Sequence, residues 1–434
     1  MPLKKKEIQY NELLWRLYDW KYPIVPSENG ATERLKDVGD ITFQVTEACS
    51  LACTYCYQHN KTPKVMTLDT AKKFIDLLFR DATDKYFALI IDFIGGEPLL
   101  QPKLISDIVD YWYYKCIMEE NWEWGMLSRF SLCSNGTEWD KPEVQKLMQK
   151  IGNYCSFTVS IDGNKELHDS ARLHPDGRGS YDEAIHAATE YERIYNGEIG
   201  SKMTIAPSNM IFIYPALKHY LDQGKDNIFA NCVFEEGWTY EHAKILYNEM
   251  KKVADYKLAN YPETYISFFE EEYFHPMDEA NIQNFCGGNG QMLACSPDGI
   301  LYPCLRYMPS SVGEKEEYVT CGSIDTKIDF DKLFEMHKVT RRTQSTDECF
   351  YCPIGEGCAW CTAYNWESQG SIDIRATYIC PMHQARALIN VYYWNKYYRQ
   401  IGSEKRMINY CPTNWALNII SEEELNMLNE LAKE

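Results

Sequence analysis

No stretch of this chain approaches the roughly 20 consecutive apolar residues that a membrane-spanning helix needs, so no membrane span is expected. The basic start Met1-Pro2-Leu3-Lys4-Lys5-Lys6-Glu7 has no apolar run behind it and does not read as a secretory signal. Positive charge is also scarce. The net charge of −19 argues against non-specific nucleic-acid binding. Without an export signal a disulfide framework is not expected either. The cysteines are then metal ligands or reduced core thiols in a reducing compartment, the cytoplasm.

Cysteine is what the chain has in excess, with 17 among 434 residues, clustered in sequence. Hydrophobic content of 45% and charged content of 25% are those of a globular protein, long enough for two or three domains. The densest early cluster is Cys49-Ser50-Leu51-Ala52-Cys53-Thr54-Tyr55-Cys56-Tyr57, directly after the β-like run 41–46. Iron–sulfur cubes are held by thiolates, normally four. A loop that offers three can grip a cube and leave one iron open for a ligand. Zinc is the competing reading, but it needs four ligands, and His59 is the only nearby addition.

The Cys-x3-Cys-x2-Cys spacing, with aromatic residues before and after the last cysteine, resembles the radical S-adenosylmethionine (radical SAM) enzymes. The resemblance implies that Cys49, Cys53 and Cys56 hold a 4Fe-4S cluster whose open iron chelates SAM. An electron then cleaves SAM to methionine and a 5′-deoxyadenosyl radical. Tyr55 falls in the cofactor-binding loop. Gly95-Gly96-Glu97-Pro98 resembles the family's second hallmark, with two glycines that allow close backbone approach to a ligand and Glu97 suited to the amino group of SAM. Ser134 and Asn135 resemble the polar strand end that meets ribose or carboxylate. Ser160 and Arg172 resemble a further SAM contact, in which Arg172 pairs the SAM carboxylate or else Asp169.

The pattern around these motifs alternates short apolar runs with helical stretches, as a parallel α/β sheet does. Strands are expected at 41–46, 87–94, 130–133, 156–161 and 203–205, and the 87–94 run reads as buried on both faces. Helices are expected at 66–79, 104–119, 240–258 and 383–400. Every motif falls at the C-terminal end of a strand, where βα barrels carry their sites. The resemblance implies a partial (β/α)6 TIM barrel over 39–230, between an N-terminal arm at 1–38 and a helical bridge at 231–284.

Cysteines crowd again from Cys286. A hairpin with a Ser296-Pro297-Asp298-Gly299 turn ends at Cys304, followed by Cys349-x2-Cys352-x5-Cys358-x2-Cys361 and Cys380. These elements resemble the SPASM domain, here 285–400, ahead of a helical tail at 401–434. By that resemblance Cys349, Cys352, Cys358 and Cys380 bind an outer 4Fe-4S cluster, while Cys286, Cys304 and Cys361 bind an inner one. That makes three clusters in all. No cysteine precedes Cys286 where some relatives have the inner cluster's fourth ligand. Cys295 is too far down the hairpin, so Cys321 is expected to fill the place, the alternative being an inner cluster open to a substrate thiolate. Cys116, Cys133, Cys155, Cys232 and Cys411 read as isolated thiols, with Cys133 packing in a strand.

The resemblance further implies a ribosomally made precursor peptide as substrate and an electron donor such as flavodoxin or ferredoxin, and the short arm leaves leader recognition either to a separate leader-peptide-binding partner or to another means. Thioether formation ranks first, on the likeness of the run Trp360-Cys361-Thr362-Ala363-Tyr364-Asn365 to such maturases. Carbon–carbon or ether crosslinking is the nearest competitor. Formylglycine formation is demoted because Leu305 stands where those relatives place an aspartate base. A pure electron-transfer protein is disfavoured, since it needs neither the open loop nor the Gly-Gly-Glu-Pro motif.

Overall fold

The computed structural model describes residues 37–195, 201–234, 237–271, 273–277, 279, 286, 288, 290–358 and 361–433. The expected N-terminal arm up to residue 36, and Trp360, lie outside the described residues.

Strands and helices alternate through the first half: β1 (Asp37–Thr46), α1 (Leu68–Asp81), β2 (Tyr86–Gly95), α2 (Pro102–Met118), α3 (Trp122–Leu127), β3 (Arg129–Ser134), α4 (Pro142–Ile151) and β4 (Cys155–Val159). They continue with α5 (Lys165–Ala171), α6 (Tyr181–Tyr195), β5 (Ser201–Ile205), α7 (Ile213–Asp222) and β6 (Asn227–Cys232). Strands β1 to β4 pair in parallel in chain order. β5, β6 and β7 (Tyr265–Ile266) form a second parallel sheet. The Thr204 N–H donates to the buried Asp162 carboxylate at 2.9 Å, tying β5 to the loop after β4. The architecture is an α/β partial barrel with a C-terminal domain.

Period-two alternation sets the two faces of the first sheet. Ile41, Phe43 and Val45 of β1, Leu89, Ile91 and Phe93 of β2, and Phe130 and Leu132 of β3 pack into one core with the surrounding helices. Phe43 lies opposite Phe93 in the ladder and meets Phe74 of α1 at 4.9 Å between ring centroids. The other face carries Asp92, Ser131, Cys133, Thr158 and Ser160, none of them fully buried. The 87–94 run is therefore covered on one face only. Its second face, Ile90, Asp92 and Ile94, is half-buried and lines the barrel interior. An apolar run hid this because isoleucines occupy two of those three positions.

The C-terminal half is built onto this barrel. α8 (Tyr240–Asn260) leads to β7, and β8 (Met292–Cys295) then pairs in parallel with β1, Phe43 opposite Cys295. β9 (Leu301–Tyr302) closes the hairpin antiparallel to β8. Gly299 makes the turn at φ +78°, which suits glycine. After α9 (Thr362–Gln369) and α10 (Cys380–Gln400), the tail helix α11 (Glu422–Leu431) buries Leu425 and Leu428 in a core shared with α8 and α10. Glu424 of that helix accepts from Tyr247 at 2.6 Å.

Candidate active site

The three-cysteine loop begins where β1 ends. Its backbone is held against the segment after α5, with Ala52 N–H to Leu173 O at 2.7 Å and Thr54 N–H to Ala171 O at 3.0 Å. Cys56 stands near enough to raise the thiols of Cys49 and Cys53, and Cys49 near enough to raise that of Cys53. Lys61 donates from Nζ to Cys56 Sγ at 3.2 Å. Burial pushes the Cys49 thiol up and the Cys53 thiol to about 11. Metal binding at such thiols has to displace protons. His59, the one extra zinc donor in the sequence, instead pairs with Glu367 at 3.1 Å.

The second motif packs on this loop. A Cβ on Gly95 would stand 2.3 Å from Thr46 O, and one on Gly96 would stand 2.4 Å from Ala48 O. The two glycines are thus required by close approach to the chain entering the cysteine loop. Glu97 is 1% exposed. Its Oε1 accepts from Leu99 N–H at 2.9 Å and Ser134 Oγ at 2.8 Å, and its Oε2 accepts from Asn135 N–H at 2.8 Å. Three internal donors thus engage the Glu97 carboxylate, which clasps the ends of β2 and β3. Ser134 is one of these donors. Asn135 reaches the loop, with Nδ2 3.0 Å from Ser50 Oγ and 3.8 Å from Cys49 Sγ. Gln58, missed in the sequence, ties the loop to Gly95 O at 3.2 Å.

Arg172 pairs with Asp162 at 2.8 Å rather than with Asp169. Asp162 is fully buried and also accepts from the Tyr55 hydroxyl. The Arg172 guanidinium carbon lies 5.4 Å from the Tyr55 ring centroid, a cation–π contact. The arrangement holds a cation beside Cys53. Ser160 lies on the interior face, 3.7 Å from Cys133 Sγ. Cys133 is exposed there rather than packed, contrary to expectation. Parity explains it, since Leu132 takes the core position and Cys133 the opposite one.

Two further thiol sets stand in the C-terminal domain. Cys349, Cys352, Cys358 and Cys380 line one cavity of about 300 Å³, with Arg375 and Trp415 at its wall. Burial pushes Cys352 to about 11 and Cys380 to about 12. Four thiols around one such space fit a cube. Cys286, Cys304 and Cys361 form the other set. A Cβ on Gly288 would sit 3.4 Å from Cys304 Sγ and 3.5 Å from Cys286 Sγ, so this glycine leaves the space between thiols clear. Cys361 is the N-cap of α9, a position that favours a thiolate, although burial pushes it to about 11. Among the described residues no three His, Cys, Asp or Glu side chains are drawn close enough for a single metal ion.

Cys321 is not with the inner set, and that expectation is corrected. The Cys321 N–H donates to Leu301 O at 2.9 Å, so its side chain shares the face of Leu301. Both pack in the barrel core with Cys295. Tyr302 and Cys304 belong to the cluster on the other face. A segment bonded alongside a strand still delivers its thiol to the other face when parity is off by one.

A family model described as a 4Fe-4S single cluster domain matches residues 39–186. The uncharacterized protein MJ0907 of Methanocaldococcus jannaschii is 27% identical over 272 residues, 61% of this chain and 84% of that one. The antilisterial bacteriocin subtilosin biosynthesis protein AlbA of Bacillus subtilis is 22% identical over 271 residues, 61% of this chain but only 54% of its own length. A solved structure of native anSMEcpe with bound AdoMet superposes with a TM-score of 0.59 at 16% identity, covering 84% of this chain and 98% of that one. That likeness shows a shared fold.

Proposed function

From the premise that this chain is a radical SAM enzyme with a SPASM-type C-terminal domain, we propose that it matures a ribosomally made precursor peptide by closing a sulfur-to-carbon thioether crosslink. The observation that carries the reading is the thiol count at each set: three at the barrel mouth and three at the inner auxiliary site, each one short of four, and four at the outer one. Cys49, Cys53 and Cys56 would hold a 4Fe-4S cluster, which together with SAM would supply the radical chemistry that takes a hydrogen from the peptide.

The chain's own residues prepare that event. Asn135, Gln58 and Lys61 fix the loop, and Glu97 with Ser134 fixes Asn135. The Arg172 guanidinium, oriented by Asp162 and Tyr55, is the cation suited to the SAM carboxylate. Ser160, Thr158 and Cys133 face the interior where the peptide enters. At the inner site Cys286, Cys304 and Cys361 supply three donors, and no fourth cysteine stands with them among the described residues. The open corner suits a peptide thiolate, which favours sulfur–carbon over carbon–carbon bond formation. Four donors at Cys349, Cys352, Cys358 and Cys380 make the outer site closed, fit for passing electrons. An electron donor such as flavodoxin or ferredoxin reduces the enzyme, and the leader peptide is gripped either by a separate partner or by another surface of this chain. The bacteriocin role named for the Bacillus relative supports a peptide substrate.

The test is co-expression with short cysteine-containing peptides encoded beside the gene, read by mass spectrometry. Loss of two hydrogens together with the alkylatable thiol is expected. Loss of hydrogens with every thiol still alkylatable overturns the thioether in favour of carbon–carbon or ether bonds.

A further inference from the structure

One arginine stands between the radical-forming loop and the inner thiols. Arg306, two residues beyond Cys304, places its guanidinium carbon 5.4 Å from the Tyr57 ring centroid and 5.6 Å from that of Tyr364. Tyr57 directly follows Cys56, and Tyr364 lies three residues beyond Cys361. Each partner of this cation is therefore anchored to a different thiol set.

The charge is held as firmly as the plane. Arg306 Nη2 meets Glu367 Oε2 at 2.5 Å, with the two side chains 11% and 16% exposed. The other oxygen of Glu367 meets His59 Nε2 at 3.1 Å, again in the radical-forming loop. Alongside, Asn60 N–H donates to Ser310 O at 3.0 Å and Asn60 Nδ2 to Ser311 O at 3.3 Å. Residues 57–60 are thus clamped to the segment that carries Cys304. Charges this poorly exposed are weakly screened by solvent and salt. An iron–sulfur cluster's potential responds to net charge, hydrogen bonding and exposure around it. A nearby cation favours the reduced, more negative cluster, and a nearby carboxylate disfavours it.

We propose that Arg306 is a positioning residue that fixes the inner auxiliary cluster against the radical-forming loop, and that Arg306 and Glu367 together set that cluster's reduction potential. The proposal rests on the reading of Cys286, Cys304 and Cys361 as cluster ligands. Two opposite charges at one site give it a signed test that a purely structural role does not pass. Lysine keeps the charge of Arg306 while losing its planar stack.

The experiment is an anaerobic redox titration of the full-length, iron-loaded protein, followed by electron paramagnetic resonance, with the outer cluster as internal reference. Arg306→Met shifts the inner cluster to more negative potential and Glu367→Gln shifts it to less negative potential. Arg306→Lys stays near wild type, and the outer cluster stays put in all three. Should Arg306→Met fail to load iron, Glu367→Gln and Arg306→Lys still decide. An inner cluster whose potential ignores Glu367→Gln, or moves the same way in both charge-removing variants, overturns the proposal alone. Wild-type protein with no inner cluster overturns the ligand reading and the proposal with it.

Discussion

Glu97 offers the sharpest quantitative test of the barrel mouth. Truncation to alanine strands the Leu99 and Asn135 N–H groups and the Ser134 hydroxyl, all buried. At roughly 1–3 kcal/mol for each buried group left without a partner, Glu97→Ala costs about 3–9 kcal/mol. Part of this is offset, because burial already pushes the Glu97 carboxyl up to about 7. Glu97→Gln keeps the acceptor for Leu99 and Ser134 but turns an amide donor toward Asn135 N–H, costing about 1–2 kcal/mol. The sign of the pH dependence follows. A carboxyl raised from 4.5 to about 7 on folding contributes stability that is complete below pH 4.5 and is lost as pH rises through 7. The amount is about 3 kcal/mol, at 1.36 kcal/mol per pH unit. Glu97→Gln removes that dependence. Anaerobic thermal unfolding across pH reads the stability, and calorimetry with SAM reads binding. Because the carboxylate is spent on internal donors, folded Glu97→Gln binds SAM within a few-fold of wild type. Wild-type stability in Glu97→Ala, or a loss of SAM affinity beyond ten-fold in well-folded Glu97→Gln, refutes the reasoning.

Cys321→Ala leaves iron content and cluster spectra at wild-type level, whereas Cys304→Ala and Cys361→Ala each lose the inner cluster; iron analysis and electron paramagnetic resonance check this. Asp162→Asn leaves the Arg172 guanidinium without its buried partner and destabilises the chain by about 3–5 kcal/mol, measured by denaturant titration. Trp415 walls the outer cavity, so Trp415→Ala speeds loss of the outer cluster in air several-fold, followed by the decay of its visible absorption.

What was legible in the sequence is what depends on spacing along the chain. Three thiols in one loop, double glycine after a strand, and the order of the later cysteines all survive without knowledge of packing, and the alternation of strands and helices does too. What was not legible depends on which face a residue takes. Cys321 runs beside β9, its N–H bonded to Leu301 O, yet its side chain faces the barrel core. Cys133 sits one position from a core leucine and faces the interior. Glu97 carries a motif glutamate's identity, but only the fold shows three donors closing on it. Arg306 had no sequence signal at all beyond its nearness to Cys304. Its two aromatic partners come from segments roughly 250 and 60 residues away, which only the docking of the hairpin onto β1 brings together.

The central claim is that Cys49, Cys53 and Cys56 hold a cluster with one iron open to SAM. It is tested most directly by anaerobic reconstitution with iron and sulfide, addition of SAM and a strong reductant, and quantification of 5′-deoxyadenosine. The account predicts its formation by the wild-type protein and its abolition in Cys53→Ala, with the two auxiliary clusters retained. An iron-replete wild-type protein that leaves SAM intact contradicts it.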